Sequence, residues 1–221
     1  MKPYFQDEQT TIYHGDSLEV LASLSPVDGG FIFTDPPYNV GMDYGEQVND
    51  SQPPEVFLAW TALWLERARL VAPTMSVYTP KKWLPKFWNI LGHDFHQIVL
   101  SWNPHGRILN RYISQYAAIL TNAEPGKPVK DHWGGIKSTA QGFYFHEDHF
   151  DHPGYTSEHV TGLALSRLHD EAGTVIDPFS GTGTSLYCAK ARGMKGIGIE
   201  KEERWCEIAA ERLSQGVLAL S

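Results

Sequence analysis

The stretch TVIDPFSGTGTS, residues 174–185, decides how this chain reads. Three β-branched residues lead to an acid and a proline. Two glycines follow, and then hydroxyl residues that open a helical pattern. The order is strand, tight turn, helix. Gly181 and Gly183 permit such a turn and let a ligand approach the backbone. The unpaired N–H groups of the helix start face whatever sits there. After one helix comes KGIGIE, 195–200, a second strand that ends on Glu200. A carboxylate at that place suits the paired hydroxyls of a ribose. The pattern fits a nucleoside-containing cofactor. A dinucleotide is a second reading, but the third glycine of its fingerprint is missing. A purely structural turn is a third.

The same alternation runs through the rest of the chain. TIYHGD (11–16) reads as a short strand meeting a polar turn. DSLEVLASL (16–24) has helical spacing, with Leu18, Leu21 and Ala22 on one face and Asp16 as N-cap. GFIFT (30–34) is an apolar run of the kind found in buried parallel strands. The spacing predicts a helix over 53–71, with Pro54 in its first turn and Phe57, Trp60, Trp64 and Leu65 on its apolar face. MSVYT (75–79), HQIVLSW (96–102) and QYAAILT (115–121) read as strands, with a helix over 81–91. Residues 122–157 show no clear period and are rich in Gly, Pro, His and aromatics. A long irregular segment in a compact domain is usually functional. A helix from Glu158 closed by Gly173, and a final helix over 202–213, complete the pattern. Strands alternating with helices give the α/β class with a mostly parallel sheet.

The 221 residues, 42% of them apolar or aromatic, suffice for one sizeable core and are few for two ordinary domains. One domain over 1–221 is expected, with 122–157 as an irregular insertion. Apolar runs are strand-length, so no membrane span is expected. The start MKPYFQDEQT lacks the basic start and apolar stretch of a signal peptide. Two cysteines, Cys188 and Cys206, are too few for a disulfide framework or a zinc site, which fits a reducing cytoplasm. The formal charge of −8 argues mildly against nucleic acid, but a local basic face can coexist with an acidic total. Seven Trp and ten Tyr are many for this length, and core packing accounts for most of them. HEDHFDH (146–152) has ligand-type residues at short spacing. A polar surface loop is the favoured reading, and no metal is expected.

FIFTDPPYNVG, 31–41, ends a buried strand on a carboxylate and stiffens the next turn with two prolines. A turn needs at most one. Thr34-Asp35-Pro36-Pro37-Tyr38, taken with Asp177-Pro178-Phe179-Ser180-Gly181-Thr182-Gly183, resembles the amino-group DNA methyltransferases that use S-adenosylmethionine. The catalytic motif precedes the cofactor motif, as in the circularly permuted β group. HGDSLEVL and GMKGIGIEKEERWCEIAAERL resemble other segments of that group, so the likeness extends over most of the chain. The resemblance implies a Rossmann-like class I methyltransferase fold in permuted order. Its mostly parallel twisted sheet carries helices on both faces and one antiparallel edge strand. It implies Asp35, Pro36, Pro37 and Tyr38 as catalytic residues. For cofactor binding it implies Asp16, Asp177, Phe179, Ser180, Gly181, Thr182, Gly183, Thr184 and Glu200. The Lys-Pro pair that usually follows His-Pro in the family is absent after His152-Pro153, so no cofactor contact is carried over there.

The chemistry explains the doubled proline. The exocyclic amine of adenine is a poor nucleophile because its lone pair is delocalised into the ring. Acceptors aimed at its two N–H groups localise that pair. The Asp35 carboxylate is one, and the Pro36 carbonyl, on a backbone of fixed φ, is the other. Tyr38 can stack on the base, where stacking contributes roughly 1–3 kcal/mol. The methyl group then moves in line from sulfonium to nitrogen, with no covalent intermediate and with geometry supplying much of the rate. A base within a duplex must be flipped out first. Candidate phosphate contacts are Lys81, Lys82, Lys86, Arg107, Arg111, Lys127, Lys130 and Lys137. DNA is thus the expected partner, with a homodimer and a cognate restriction nuclease as further candidates. A short slot for target recognition predicts a short site, loose specificity or help from a second subunit. In the family that the chain resembles, DPPY leans to adenine N6, with cytosine N4 as the nearest rival and RNA adenine or a protein amide more distant. A non-catalytic nucleic-acid-binding module with the same fold is the rival from another class.

Overall fold

The structure is a computed structural model that describes residues 1–46, 48–92, 94–102, 116–136, 152, 156–169 and 173–215. In chain order the first half holds β1 (Phe5–Gln6), β2 (Thr10–His14), α1 (Ser17–Ser23), β3 (Gly30–Thr34), α2 (Pro54–Val71), β4 (Thr74–Thr79), α3 (Leu84–Leu91) and β5 (His96–Trp102). The second half holds β6 (Tyr116–Thr121), β7 (His132–Ile136), α4 (Glu158–Leu168), β8 (Thr174–Asp177), α5 (Thr184–Lys190), β9 (Lys195–Glu200) and α6 (Glu203–Ser214).

The strands form one nine-stranded sheet in the order β1-β2-β9-β8-β3-β4-β6-β5-β7. β2, β9, β8, β3 and β4 run parallel. The C-terminal strands β8 and β9 are therefore wedged between the N-terminal strands β2 and β3. This is the permuted order that the resemblance implies. The expected antiparallel edge strand is β1. A second antiparallel strand, β6, lies inside the sheet between β4 and β5, so β7 forms the other edge, parallel to β5.

Period-2 alternation explains why β3 is apolar throughout. Ile32 points into a core with Phe57, Trp64, Leu65, Met75, Val77 and Phe87, roofed by α1, α2 and α3. Its neighbours Phe31 and Phe33 point into a second core with Val160, Ala164, Leu165, Val175 and Cys188, roofed by α4 and α5. α6 closes a third cluster on Ile12 and Leu186. Both faces of the sheet are covered, as a parallel sheet requires. Both cysteines are buried and free. No helix among the described residues is long and apolar enough to cross a membrane.

Three expectations need correction. On α1 the buried face is Ser17, Val20 and Leu21, while Ala22 is exposed. The helix after Glu158 stops at Leu168, capped by His169 rather than Gly173. His169 is held where it is, stacked on Phe31 with 3.7 Å between ring centroids and hydrogen-bonded through Nε2 to Ser76 Oγ at 2.9 Å. Within 122–157, residues 132–136 form strand β7, which sequence periodicity did not reveal.

Candidate active site

The ends of four adjacent parallel strands, β2, β9, β8 and β3, deliver the predicted site residues to one edge of the sheet. Ligands bind at such an edge in open α/β folds. Asp35 follows β3, Asp177 ends β8, Glu200 ends β9, and Asp16 lies just past β2. Thr34 Oγ1 donates to Asp177 Oδ1 at 2.6 Å and ties the two motif-bearing strands together.

The turn after β3 is braced from several sides. Asn39 sits at φ 53°, a left-handed angle that asparagine tolerates better than most residues. Its side chain exchanges two bonds with the Gln52 backbone, Oδ1 accepting from N at 2.6 Å and Nδ2 donating to O at 2.9 Å. The buried Asp50 carboxylate accepts the N–H groups of Asn39, Val40 and Met42 at 2.6, 2.9 and 3.0 Å. Trp83 Nε1 donates to the Tyr38 carbonyl at 2.7 Å. With two prolines fixing φ, the backbone of this turn has little freedom.

Asp35 keeps some surface toward the cleft and is enclosed by protein elsewhere. Desolvation pushes its pKa up to about 6. Hydrogen bonds from Thr156 and Tyr38 pull against that shift, and the nearby Asp177 adds to it. The Tyr38 hydroxyl donates to Asp35 Oδ1, and the Thr156 hydroxyl donates to Oδ2. Burial, then the charge of Asp35, drive the Tyr38 and Tyr78 phenols well above their ordinary range, so both stay protonated.

The glycine turn is built as its sequence predicts. Gly181 and Gly183 take φ 50° and 78°. A Cβ on Gly183 would stand 3.1 Å from Ala209 Cβ, and one on Gly181 would stand 3.2 Å from His152 Nε2. Asp177 is held from within the protein, accepting from Thr34, Ser185 and the Phe179 N–H. Glu200 clamps the turn from the next strand. Its Oε2 accepts the Gly181 N–H at 2.9 Å and its Oε1 the Glu202 N–H at 2.8 Å. Burial lifts its pKa to about 7 against those bonds. Asp16 caps α1 through Leu18 N at 2.9 Å, as expected, and pairs with Lys201 Nζ at 3.1 Å.

These groups line one cleft of about 490 Å³. Asp35, Pro36, Pro37 and Tyr38 form one part of its wall. Asp16, Asp177, Phe179, Ser180, Gly181, Thr182, Thr184 and Glu200 form another. Gly183 stands behind the lining, against α6. Phe179 is wedged between Trp60 and Trp64, at 5.4 and 5.1 Å between ring centroids.

The basic candidates fare less well, since none of those described lines the cleft. Lys81 and Lys82 are exposed in the turn after β4, on the cleft's edge of the sheet. Lys82 lies over the Trp83 ring that braces the DPPY turn. Lys86 is exposed on α3. Lys127 and Lys130 belong to the connection that leaves β6 at the opposite edge. Arg107, Arg111 and Lys137 lie outside the described residues, as do His146 and His149 of the histidine-rich stretch. His152 of that stretch is a cleft residue instead of a surface one. It packs edge-on against Trp205, and burial, then Arg204, lower its pKa to about 4, so it is neutral. Among the described residues no cluster of His, Cys, Asp and Glu could hold a metal.

Sequence reasoning missed Thr156, Tyr44, His152, Trp205 and Lys201, all of which line the cleft. Lys201 was legible as the neighbour of Glu200. Tyr44 depends on a distant contact, its carbonyl accepting from Trp205 Nε1 at 3.1 Å. Chemically, the cleft combines a carboxylate acceptor on a rigid turn with a second, buried carboxylate beside a glycine turn.

A family model described as DNA methylase matches residues 110–211. The Type II methyltransferase M.BamHI of Bacillus amyloliquefaciens is 26% identical over 96% of this chain and 59% of its own length. The Type II methyltransferase M2.LlaDCHI of Lactococcus lactis subsp. cremoris is 26% identical over 97% of this chain and 93% of its own. The DNA adenine methyltransferase YhdJ of Escherichia coli K12 is 23% identical over 95% and 84%. The crystal structure of an M1.HpyAVI–SAM complex superposes with a TM-score of 0.68 at 23% identity, over 92% of this chain and 98% of that one. The PvuII DNA methyltransferase, cytosine-N4-specific, gives 0.70 at 14%, over 96% and 88%. With the DPPY turn and the glycine turn meeting in one cleft of a permuted class I fold, the chain resembles the amino-group DNA methyltransferases over most of its length.

Proposed function

We propose that this protein transfers a methyl group from S-adenosylmethionine to the exocyclic N6 of a flipped-out adenine in DNA. The observation that carries the reading is Asp35. It is a recessed carboxylate on a doubly proline-stiffened turn, in the same cleft as the Gly181–Gly183 turn and Glu200.

The cleft fits the cofactor by the chemistry of its lining. Glu200 and Asp16 are acceptors for ribose and amino-group donors, and Phe179 and Ile199 offer apolar surface. A side chain on Gly181 would crowd the space beside His152. S-adenosylmethionine supplies an electrophilic methyl group on a sulfonium. The protein supplies position and acceptors. Asp35 accepts one amine N–H and the Pro36 carbonyl the other, which localises the nitrogen lone pair. Tyr38 and its neighbours exclude water and face the base.

Adenine is favoured by the DPPY tetrapeptide and by the relative named a DNA adenine methyltransferase. The fold neighbour that is cytosine-N4-specific keeps N4 transfer as the second reading, because both amines need the same acceptors. The chain acts as one catalytic domain in the cytoplasm, with 122–157 contributing to target choice and the exposed Lys81 and Lys82 as candidate phosphate contacts. A restriction nuclease is the natural functional partner of such an activity.

A second copy of the chain fits on α2. Val56, Leu63 and Leu70 are exposed at heptad spacing, with Glu55 in the first turn and Arg69, held by the Leu91 carbonyl, in the last.

The test is nucleoside mass spectrometry after incubating purified protein, labelled S-adenosylmethionine and unmethylated DNA. N6-methyldeoxyadenosine is expected. N4-methyldeoxycytidine would reverse the base assignment, and no labelled nucleoside despite cofactor binding would favour a non-catalytic module.

A further inference from the structure

The two oxygens of Asp35 are held by hydroxyls of different standing. Tyr38 reaches Oδ1 from Asp35's own turn, and its ring forms part of the cleft wall. Thr156 reaches Oδ2 from 121 residues away, on the segment that enters α4. That helix is firmly seated. Val160, Ala164 and Leu165 are buried beneath it, and Glu158 is paired with Arg212 at 2.5 Å. Thr156 is therefore anchored by a packed element, whereas Tyr38 must leave Oδ1 if its ring is to lie against a base.

We infer that Thr156 is the positioning residue of the transfer reaction: its hydroxyl pins Asp35 Oδ2 so that Oδ1, released by Tyr38, alone meets the incoming amine. The inference rests on the methyltransferase reading above. A carboxylate with one oxygen fixed cannot rotate about its Cβ–Cγ bond, so the remaining lone pairs keep one direction as the substrate enters. The bond also favours the ionised form, which is the better acceptor. The other groups facing Asp35 do little to keep it charged. Tyr38 leaves, Tyr78 at the end of β4 stays neutral, and Asp177 at the end of β8 repels it. Among the described residues Asp35 makes no ion pair.

The experiment compares Thr156→Val, Thr156→Ala and Thr156→Ser with wild type, following kcat, KM and cofactor affinity across pH 5–9. A second readout is carbon-13 titration of the Asp35 carboxyl in the cofactor-free protein. Thr156→Val and Thr156→Ala should lower kcat by roughly 10²-fold, as expected for a misplaced reacting group. Cofactor affinity should not change. The acid limb of the kcat profile and the Asp35 titration should both move to higher pH, and Thr156→Ser should restore both. Wild-type kcat with an unmoved acid limb in either variant lacking the hydroxyl would overturn the inference, as would a loss that serine fails to rescue. A wild-type chain that binds the cofactor but methylates no DNA would instead sink the functional reading and the positioning role with it. The carboxyl titration would still report whether Thr156 holds Asp35.

Discussion

Asp35 is recessed in the cleft wall, and on the proposed reading it must also be ionised to accept the substrate amine. Its pKa of about 6 lies above the ordinary carboxylate value of 3.8 because burial outweighs its hydrogen bonds. The folded state thus holds this proton over a range where the unfolded chain has lost it. Between about pH 4 and 6 the stability owed to Asp35 falls as pH rises. Asp35→Asn should therefore melt above wild type at pH 8, with the gap closing toward pH 5, while turnover disappears and cofactor binding persists. Calorimetry at the two pH values and a transfer assay check this. Glu200 offers a parallel case. With its pKa near 7, it is partly protonated in neutral solution and a weaker acceptor below that. Cofactor affinity measured by titration calorimetry should weaken as pH falls from 8 to 6, and Glu200→Gln should remove that dependence. Gly181→Val should abolish cofactor binding, since φ 50° and the nearby His152 ring leave no room for a branched side chain. At this scale the sequence pointed to cleft positions where chemistry and spacing coincide, as at Asp35 and Glu200. It was silent on Thr156, because no local pattern encodes a contact across 121 residues.

Elements were legible to the degree that their burial is periodic. α2 carries Phe57, Trp64, Leu65 and Ala68 on one stripe and is read at once. β3 is apolar because each face meets a different core, and a continuous run of that length has a clear meaning. β7, by contrast, reads HWGGI, with two glycines and a histidine that pairs with Ser101 Oγ at 2.6 Å. Its strand form comes from the register with β5 and not from its own propensity. α4 stops early because His169 is captured by Phe31 and Ser76, a tertiary event that overrides the glycine signal downstream. Two predictions belong here. Leu65→Ala, at a position 2% exposed beneath α2, should cost about 2–5 kcal/mol in denaturant unfolding, the usual range for an emptied leucine site. On the outer face of the same helix, Leu63→Glu should leave stability nearly unchanged and convert a dimer to a monomer in sedimentation. A wild-type protein that sediments as a monomer at all concentrations would remove the proposed pairing.

Across the whole molecule, strand order assembles the cleft. Asp35 and Glu200 are far apart in sequence, yet β3, β8 and β9 are neighbours in the sheet, so the glycine turn and the DPPY turn share one cleft. The α/β class and the permuted order were readable from the sequence of motifs. The interior antiparallel strand β6 was not, because hydrophobic patterning does not carry strand direction. The net charge of −8 is a total over the whole chain. It says nothing of how charge is placed around one edge of the sheet. The central claim is that this cleft methylates an exocyclic amine in DNA. The most direct measurement is single-molecule sequencing of DNA from a methylation-deficient host expressing the chain. N6-methyladenine at a defined short motif, absent with Asp35→Ala, is the predicted result. Unmodified DNA from a soluble chain that binds S-adenosylmethionine would contradict it.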